Sequence, residues 1–168
     1  SEKIKLYVAF SAKNPKAKFS TSDLMLNNFK PNVLVVSPGV PLSTLWIQKA
    51  QNSGIEISSE LEIAFQFLTS EKIISVTGSI GKSTTTTLIG LASKTQNINN
   101  FFGGNLGTPL ARYVLDVYFN SAISTNSEYN LKADWITLEL SSYQLENFKN
   151  LISDIVVFTY FSPNHLER

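Results

Sequence analysis

Gly78-Ser79-Ile80-Gly81-Lys82-Ser83 gathers two glycines, a cation and hydroxyls into six consecutive residues. Glycine lets main-chain N–H groups turn inward and approach anionic oxygens closely. A helix opening directly after the turn adds its free N–H groups and partial positive charge. Lys82 has the reach for a β- or γ-phosphate, and the Ser83 hydroxyl is placed to ligate Mg²⁺. The chemistry implied is capture of a nucleoside triphosphate. The fit to the full phosphate-loop pattern is incomplete, because Val76 stands where that pattern has its first glycine. A plain glycine turn capping a helix is the competing explanation. Thr84 to Thr87 are poor helix formers, so their hydroxyls are expected to face the ligand or to cap the helix.

Other residues suit the same chemistry. Glu139 lies near the end of the apolar run 135–140, just before Ser141 and Ser142. At the carboxyl end of a parallel strand a carboxylate borders the crevice beside a phosphate loop, where it can hold Mg²⁺ directly or through water. A solvated strand-end glutamate is the alternative. Gly103-Gly104-Asn105-Leu106-Gly107-Thr108-Pro109 forms a second glycine-rich turn, in which Asn105 offers both an amide donor and an acceptor. A tight turn with no further role also explains it. His165, the only histidine, follows the apolar run 154–159. That place draws it toward the same crevice, although a lone loop histidine is more often solvated surface. Ser37-Pro38-Gly39-Val40-Pro41 is a third strand-to-loop turn, weak evidence for an anion site when taken alone.

The elements that must carry these groups alternate. Strands are predicted at 4–10, 33–37, 55–57, 73–77, 135–140 and 154–159, with a short one before Gly103. Helices are predicted at 42–52, 59–68, 82–93, 109–117 and 143–148. Short buried runs that stop at glycine or proline are the mark of parallel strands. Their alternation with helices implies βαβ crossovers and a parallel α/β sheet. Residues 120–132 are polar and suggest a surface insertion. The segment Thr69 to Lys72 is the expected boundary between two units, 1–70 and 71–168.

Bulk composition narrows the function classes. A net charge of +1 argues against a general nucleic-acid or anionic-membrane binder. No cysteine is present, which removes disulfides, thiolate metal sites and a cysteine nucleophile. No apolar run approaches the roughly 20 residues that span a bilayer. A cytoplasmic, monomeric α/β protein with no nucleic-acid or membrane partner is the expectation.

Val76 to Thr86 resembles the ATP loop of the Mur ligases. The segments Gly103 to Leu110 and Leu138 to Glu146 are more specific and resemble the branch that adds D-glutamate to UDP-N-acetylmuramoyl-L-alanine. Ser37 to Pro41 and Ser162 to Arg168 fit the same family in the same order. The resemblance implies a Rossmann-like partial UDP-binding domain at 1–70, then part of a phosphate-loop parallel-sheet ATPase domain at 71–168. It further implies that ATP phosphorylates the carboxylate of UDP-N-acetylmuramoyl-L-alanine and that the amine of D-glutamate attacks the acyl phosphate. Gly78, Ser79, Ile80, Gly81, Lys82, Ser83 and Thr84 would bind ATP. Lys82, Glu139 and His165 would be catalytic, with Ser83, Glu139 and His165 holding Mg²⁺. Asn105, Ser141, Gln144 and His165 would contact the muramoyl-alanine part, and Ser37, Pro38 and Gly39 the uridine diphosphate.

The family loop commonly runs Gly-Thr-Asn-Gly-Lys, whereas Ser79 and Ile80 stand here, and Glu167 replaces the usual aspartate. Family members are far longer. The chain therefore corresponds to a partial one, without the C-terminal ligase domain and the lysine that is carbamylated between the metals, and is not expected to ligate alone. Lys82, Ser83 and Glu139 by themselves would also permit another phosphate-loop kinase or NTPase, or a non-catalytic nucleotide-binding module.

Overall fold

The computed structural model describes residues 31–119, 131–146 and 148–163. The predicted strand at 4–10, most of the polar segment 120–132, and His165 lie outside them. The chain divides into two compact units between Glu60 and Leu61.

In the first unit, β1 (Val33–Val35) and β2 (Glu56–Ser58) pair in parallel, with α1 (Leu45–Asn52) between them in sequence. Leu34, Val36, Ile47, Ala50 and Ile57 form its core. Gly54, with φ of 79°, breaks the chain away from α1 as expected of a left-handed glycine after a helix. The division falls earlier than the expected 70/71 boundary. Leu61 and Ala64 of α2 (Glu60–Phe65) belong to the same apolar cluster as Ile73, Phe101, Ile136 and Leu138 of the second unit.

The second unit is built on β3 (Lys72–Thr77), β4 (Asn100–Gly104), β5 (Trp135–Glu139) and β6 (Ile155–Phe158), in the order β4-β5-β3-β6. All its pairings are parallel, as the apolar runs implied. The helices are α3 (Lys82–Thr95), α4 (Leu110–Val114) and α5 (Ser142–Glu146). From β3 the chain crosses past β5 to β4, returns to β5, then passes β3 to reach β6. The carboxyl end of β3 is thus a point where strand order reverses, the usual place for a ligand crevice. Gly90 lets α3 lie on β4, since a Cβ there would meet the Phe102 ring at 2.3 Å. Among the described residues no helix is long and apolar enough to cross a membrane.

A buried carboxylate anchors the opposite, amino end of β3. The Glu71 side chain is fully buried. Its Oε1 accepts the hydroxyls of Tyr113 (3.1 Å) and Tyr118 (2.6 Å), and its Oε2 the N–H groups of Thr69 (2.9 Å) and Ser70 (3.1 Å). Lys132 stands 3.6 Å away and donates to the Thr69 and Ser70 hydroxyls. Residues five apart lie about 140° apart around an α-helix. Here α4 continues as a π-helical turn, Leu115–Phe119, whose i→i+5 spacing brings Tyr113 and Tyr118 toward one face. Burial, reinforced by the Glu71 carboxylate, raises the pKa of both phenols, so they remain donors.

Candidate functional site

β3 ends at Thr77, whose hydroxyl donates to the Leu140 carbonyl at 3.0 Å, while Leu140 N–H donates to Val76 O at 2.9 Å. These bonds lock the carboxyl ends of β3 and β5 together. The chain then turns through Gly78 (φ 136°) and Gly81 (φ 90°) into α3. Its N-cap is Gly81, which has no side chain to cap with, and among the described residues no threonine hydroxyl caps the helix as the sequence allowed. Thr84 is exposed, and Thr86 is buried with its hydroxyl unpartnered among the described residues. Lys82 Nζ donates to the Gly78 carbonyl (2.7 Å) and weakly to that of Ser79 (3.4 Å), which holds the ammonium over the loop. Ser83 follows in the first helical turn, half-buried. Ile80 is 68% exposed and enters the site through its carbonyl oxygen, which accepts the Thr159 hydroxyl at 2.6 Å.

Glu139 closes β5, 3% exposed, in register with Val76 of β3 and Gly104 of β4. Asn105 holds it twice: the side-chain amide donates to Oε1 at 3.0 Å and the main-chain N–H to the Glu139 carbonyl at 2.9 Å. The Gly103-Gly104 pair, expected in a turn, forms the end of β4. A Cβ on Gly104 would stand 2.5 Å from the Glu139 carbonyl, at a φ of 112°. Gly104→Ala is therefore expected to destabilise the protein by about 2–4 kcal/mol and to displace Asn105 from Glu139. A thermal melt within a degree of the unsubstituted protein would contradict this.

Ser141 and Gln144 form a capping box at the start of α5. Gln144 Oε1 accepts the Ser141 N–H and hydroxyl, both at 3.0 Å, and Gln144 N–H donates to Ser141 Oγ at 3.3 Å. The Ser-x-x-Gln spacing carried that signal, and the sequence reading passed over it.

A cavity of about 490 Å³ opens between these elements, within the range of small-molecule sites. Thr77, Gly78, Ser79 and Lys82 line one side, Ser141, Ser142 and Leu145 another, and Phe158, Phe161, Ser162 and Pro163 the third. The fold thus brings the glycine loop and Ser141 to one cavity. Asn105, Glu139 and Gln144 do not line it. Ser37, Pro38 and Gly39 form the turn after β1 in the first unit, where Val40 N–H donates to Ser37 O at 2.9 Å. His165 lies outside the described residues. Sequence reasoning missed Thr77 and Thr159 as site residues. Their hydroxyls act on loops distant in sequence, and no local spacing marks them.

A parallel α/β sheet, a glycine loop between strand and helix, and a buried carboxylate on the adjacent strand together define a phosphate-loop domain. Residues 76–168 match the family model described as the Mur ligase middle domain. The chain belongs to the Mur ligase family. It is similar to proteins named UDP-N-acetylmuramoylalanine--D-glutamate ligase. With that of Rippkaea orientalis it shares 34% identity over 90% of this chain and 31% of the relative. With that of Saccharophagus degradans the identity is 37%, over 94% of this chain and 31% of the relative. With that of Gloeothece citriformis it is 38%, over 82% and 28%. The chain thus spans about three-tenths of the length of these curated relatives.

Proposed function

We propose that this chain carries the ATP site of an enzyme that ligates D-glutamate to UDP-N-acetylmuramoyl-L-alanine in cytoplasmic peptidoglycan synthesis. The observation that carries the reading is the Lys82 loop sharing a cavity with Ser141, while Glu139 is locked to the same strand end. The names of the relatives supply the substrates.

A carboxylate is a poor acyl donor, and transfer of the ATP γ-phosphoryl group gives it a leaving group. The amine of D-glutamate then displaces phosphate to form the amide. Phosphoryl transfer depends chiefly on positioning and charge neutralisation. Lys82 and the main-chain N–H groups at the start of α3 neutralise the transferred phosphoryl group. Ser83 and Glu139 would supply oxygen donors of the kind Mg²⁺ takes, with His165 assigned to a second ion. An Mg²⁺ held by these residues would supply charge neutralisation at the phosphate oxygens. Asn105 keeps the Glu139 carboxylate oriented, and Ser141, on the cavity lining, borders the muramoyl-alanine side. The first unit holds the uridine diphosphate through Ser37, Pro38 and Gly39, and the second holds ATP. The enzyme acts as a monomer, with no nucleic acid or membrane partner.

ATP hydrolysis by the complete protein, measured with and without each substrate, tests this. Turnover is expected only when UDP-N-acetylmuramoyl-L-alanine and D-glutamate are both present. Turnover that ignores them would make the protein a general phosphate-loop NTPase instead.

A further inference from the structure

The segment that leaves β6 is bonded along the phosphate loop. Thr159 N–H donates to Thr77 O at 3.0 Å, extending the ladder, and Thr159 Oγ1 lies 2.6 Å from Ile80 O and 3.2 Å from Thr77 O. Ser79 N–H donates to Tyr160 O at 2.7 Å. The Ser79 hydroxyl donates to Ser162 O at 2.8 Å and accepts the Ser162 N–H at 3.1 Å. Gly78 fits only as glycine, because a Cβ would stand 2.5 Å from Thr159 Oγ1 and 2.8 Å from Tyr160 O.

A serine hydroxyl has one proton to give. That of Ser79 goes to Ser162, and the Ser79 N–H points at Tyr160. Both groups of this loop residue therefore face the departing segment and not an anion cradle. We propose that Thr159 and Ser79 are positioning residues, a clasp that holds the phosphate loop in its ATP-binding shape from the segment after β6. Nucleotide affinity then depends on hydroxyls about eighty residues apart in sequence.

The inference rests on the loop being the ATP site, so the experiment separates the two. ATP binding with Mg²⁺ is measured by calorimetry on the complete protein and on Thr159→Val, Thr159→Ser and Ser79→Ala, with amide hydrogen exchange followed across residues 78–83. Thr159→Val and Ser79→Ala should each weaken ATP binding by roughly three- to tenfold, the worth of one or two hydrogen bonds, and speed exchange in the loop. Thr159→Ser, which keeps the hydroxyl, should bind within about twofold of the unsubstituted protein. Should Thr159→Val fail to fold, Ser79→Ala reads the other half of the clasp. Unchanged affinity and exchange in Ser79→Ala and Thr159→Val overturn the clasp alone. Failure of the unsubstituted protein to bind ATP overturns the site as well.

Discussion

Lys82→Met should lower kcat/KM for ATP by about 10²–10³-fold, the usual cost of removing one preorganised charge donor from a transition state. The ammonium sits over the loop, 2.7 Å from the Gly78 carbonyl, and methionine keeps the stem while deleting the charge. Lys82 is only half-buried, so the melting temperature should change little. Lys82→Arg should restore little, because a planar fork does not replace a compact point charge. Steady-state kinetics of the complete enzyme check this, and activity of Lys82→Met within about tenfold of the parent would remove Lys82 from the chemistry.

The second large effect falls at the other end of the same strand and concerns stability. Glu71→Leu should destabilise the fold by about 3–5 kcal/mol, because it strands two phenols, two main-chain N–H groups and the Lys132 ammonium around one apolar side chain. The loss should also depend on pH. Burial pushes the Glu71 carboxyl up, but the Tyr118 hydroxyl and the N–H groups of Thr69, Glu71 and Ser70 together outweigh it and hold the pKa below the ordinary 4.5. The unfolded chain therefore binds the proton first. The stabilisation is fully present above the ordinary value and is lost as pH falls through the lower folded value. Denaturant unfolding at a series of pH values should show the difference between the parent and Glu71→Leu narrowing below about pH 4.5. A difference that stays constant across that range would mean that folding does not lower the Glu71 pKa.

The strands were legible because most of β3 and β5 is buried, which makes each a short, largely apolar run stopped by glycine or a polar pair. The loop at Gly78 was legible because its chemistry is local. Hydroxyls and amides that act across the fold were not. Thr159 looks like any strand-end threonine, and only the parallel pairing of β6 with β3 brings it to Ile80. Glu71 stood in a segment expected to be a boundary. Its partners are a tyrosine and a π-turn tyrosine more than forty residues on, a juxtaposition without periodic signal. Gln144 was assigned to substrate from the resemblance, while its amide oxygen is engaged by Ser141. The glycines at 103 and 104 were seen as a turn because their cause lies in main-chain atoms of Thr108 and Glu139.

Ile80 departs from the family pattern, yet its side chain projects outward from the tip of the loop while its carbonyl alone is used by the fold. The chain has no cysteine. Ile80→Cys would therefore place a unique thiol in this chain on the exposed side of the loop proposed to bind ATP. An environment-sensitive dye attached there would report occupancy of the loop directly, without a coupled assay and without touching Lys82, Ser83 or the clasp.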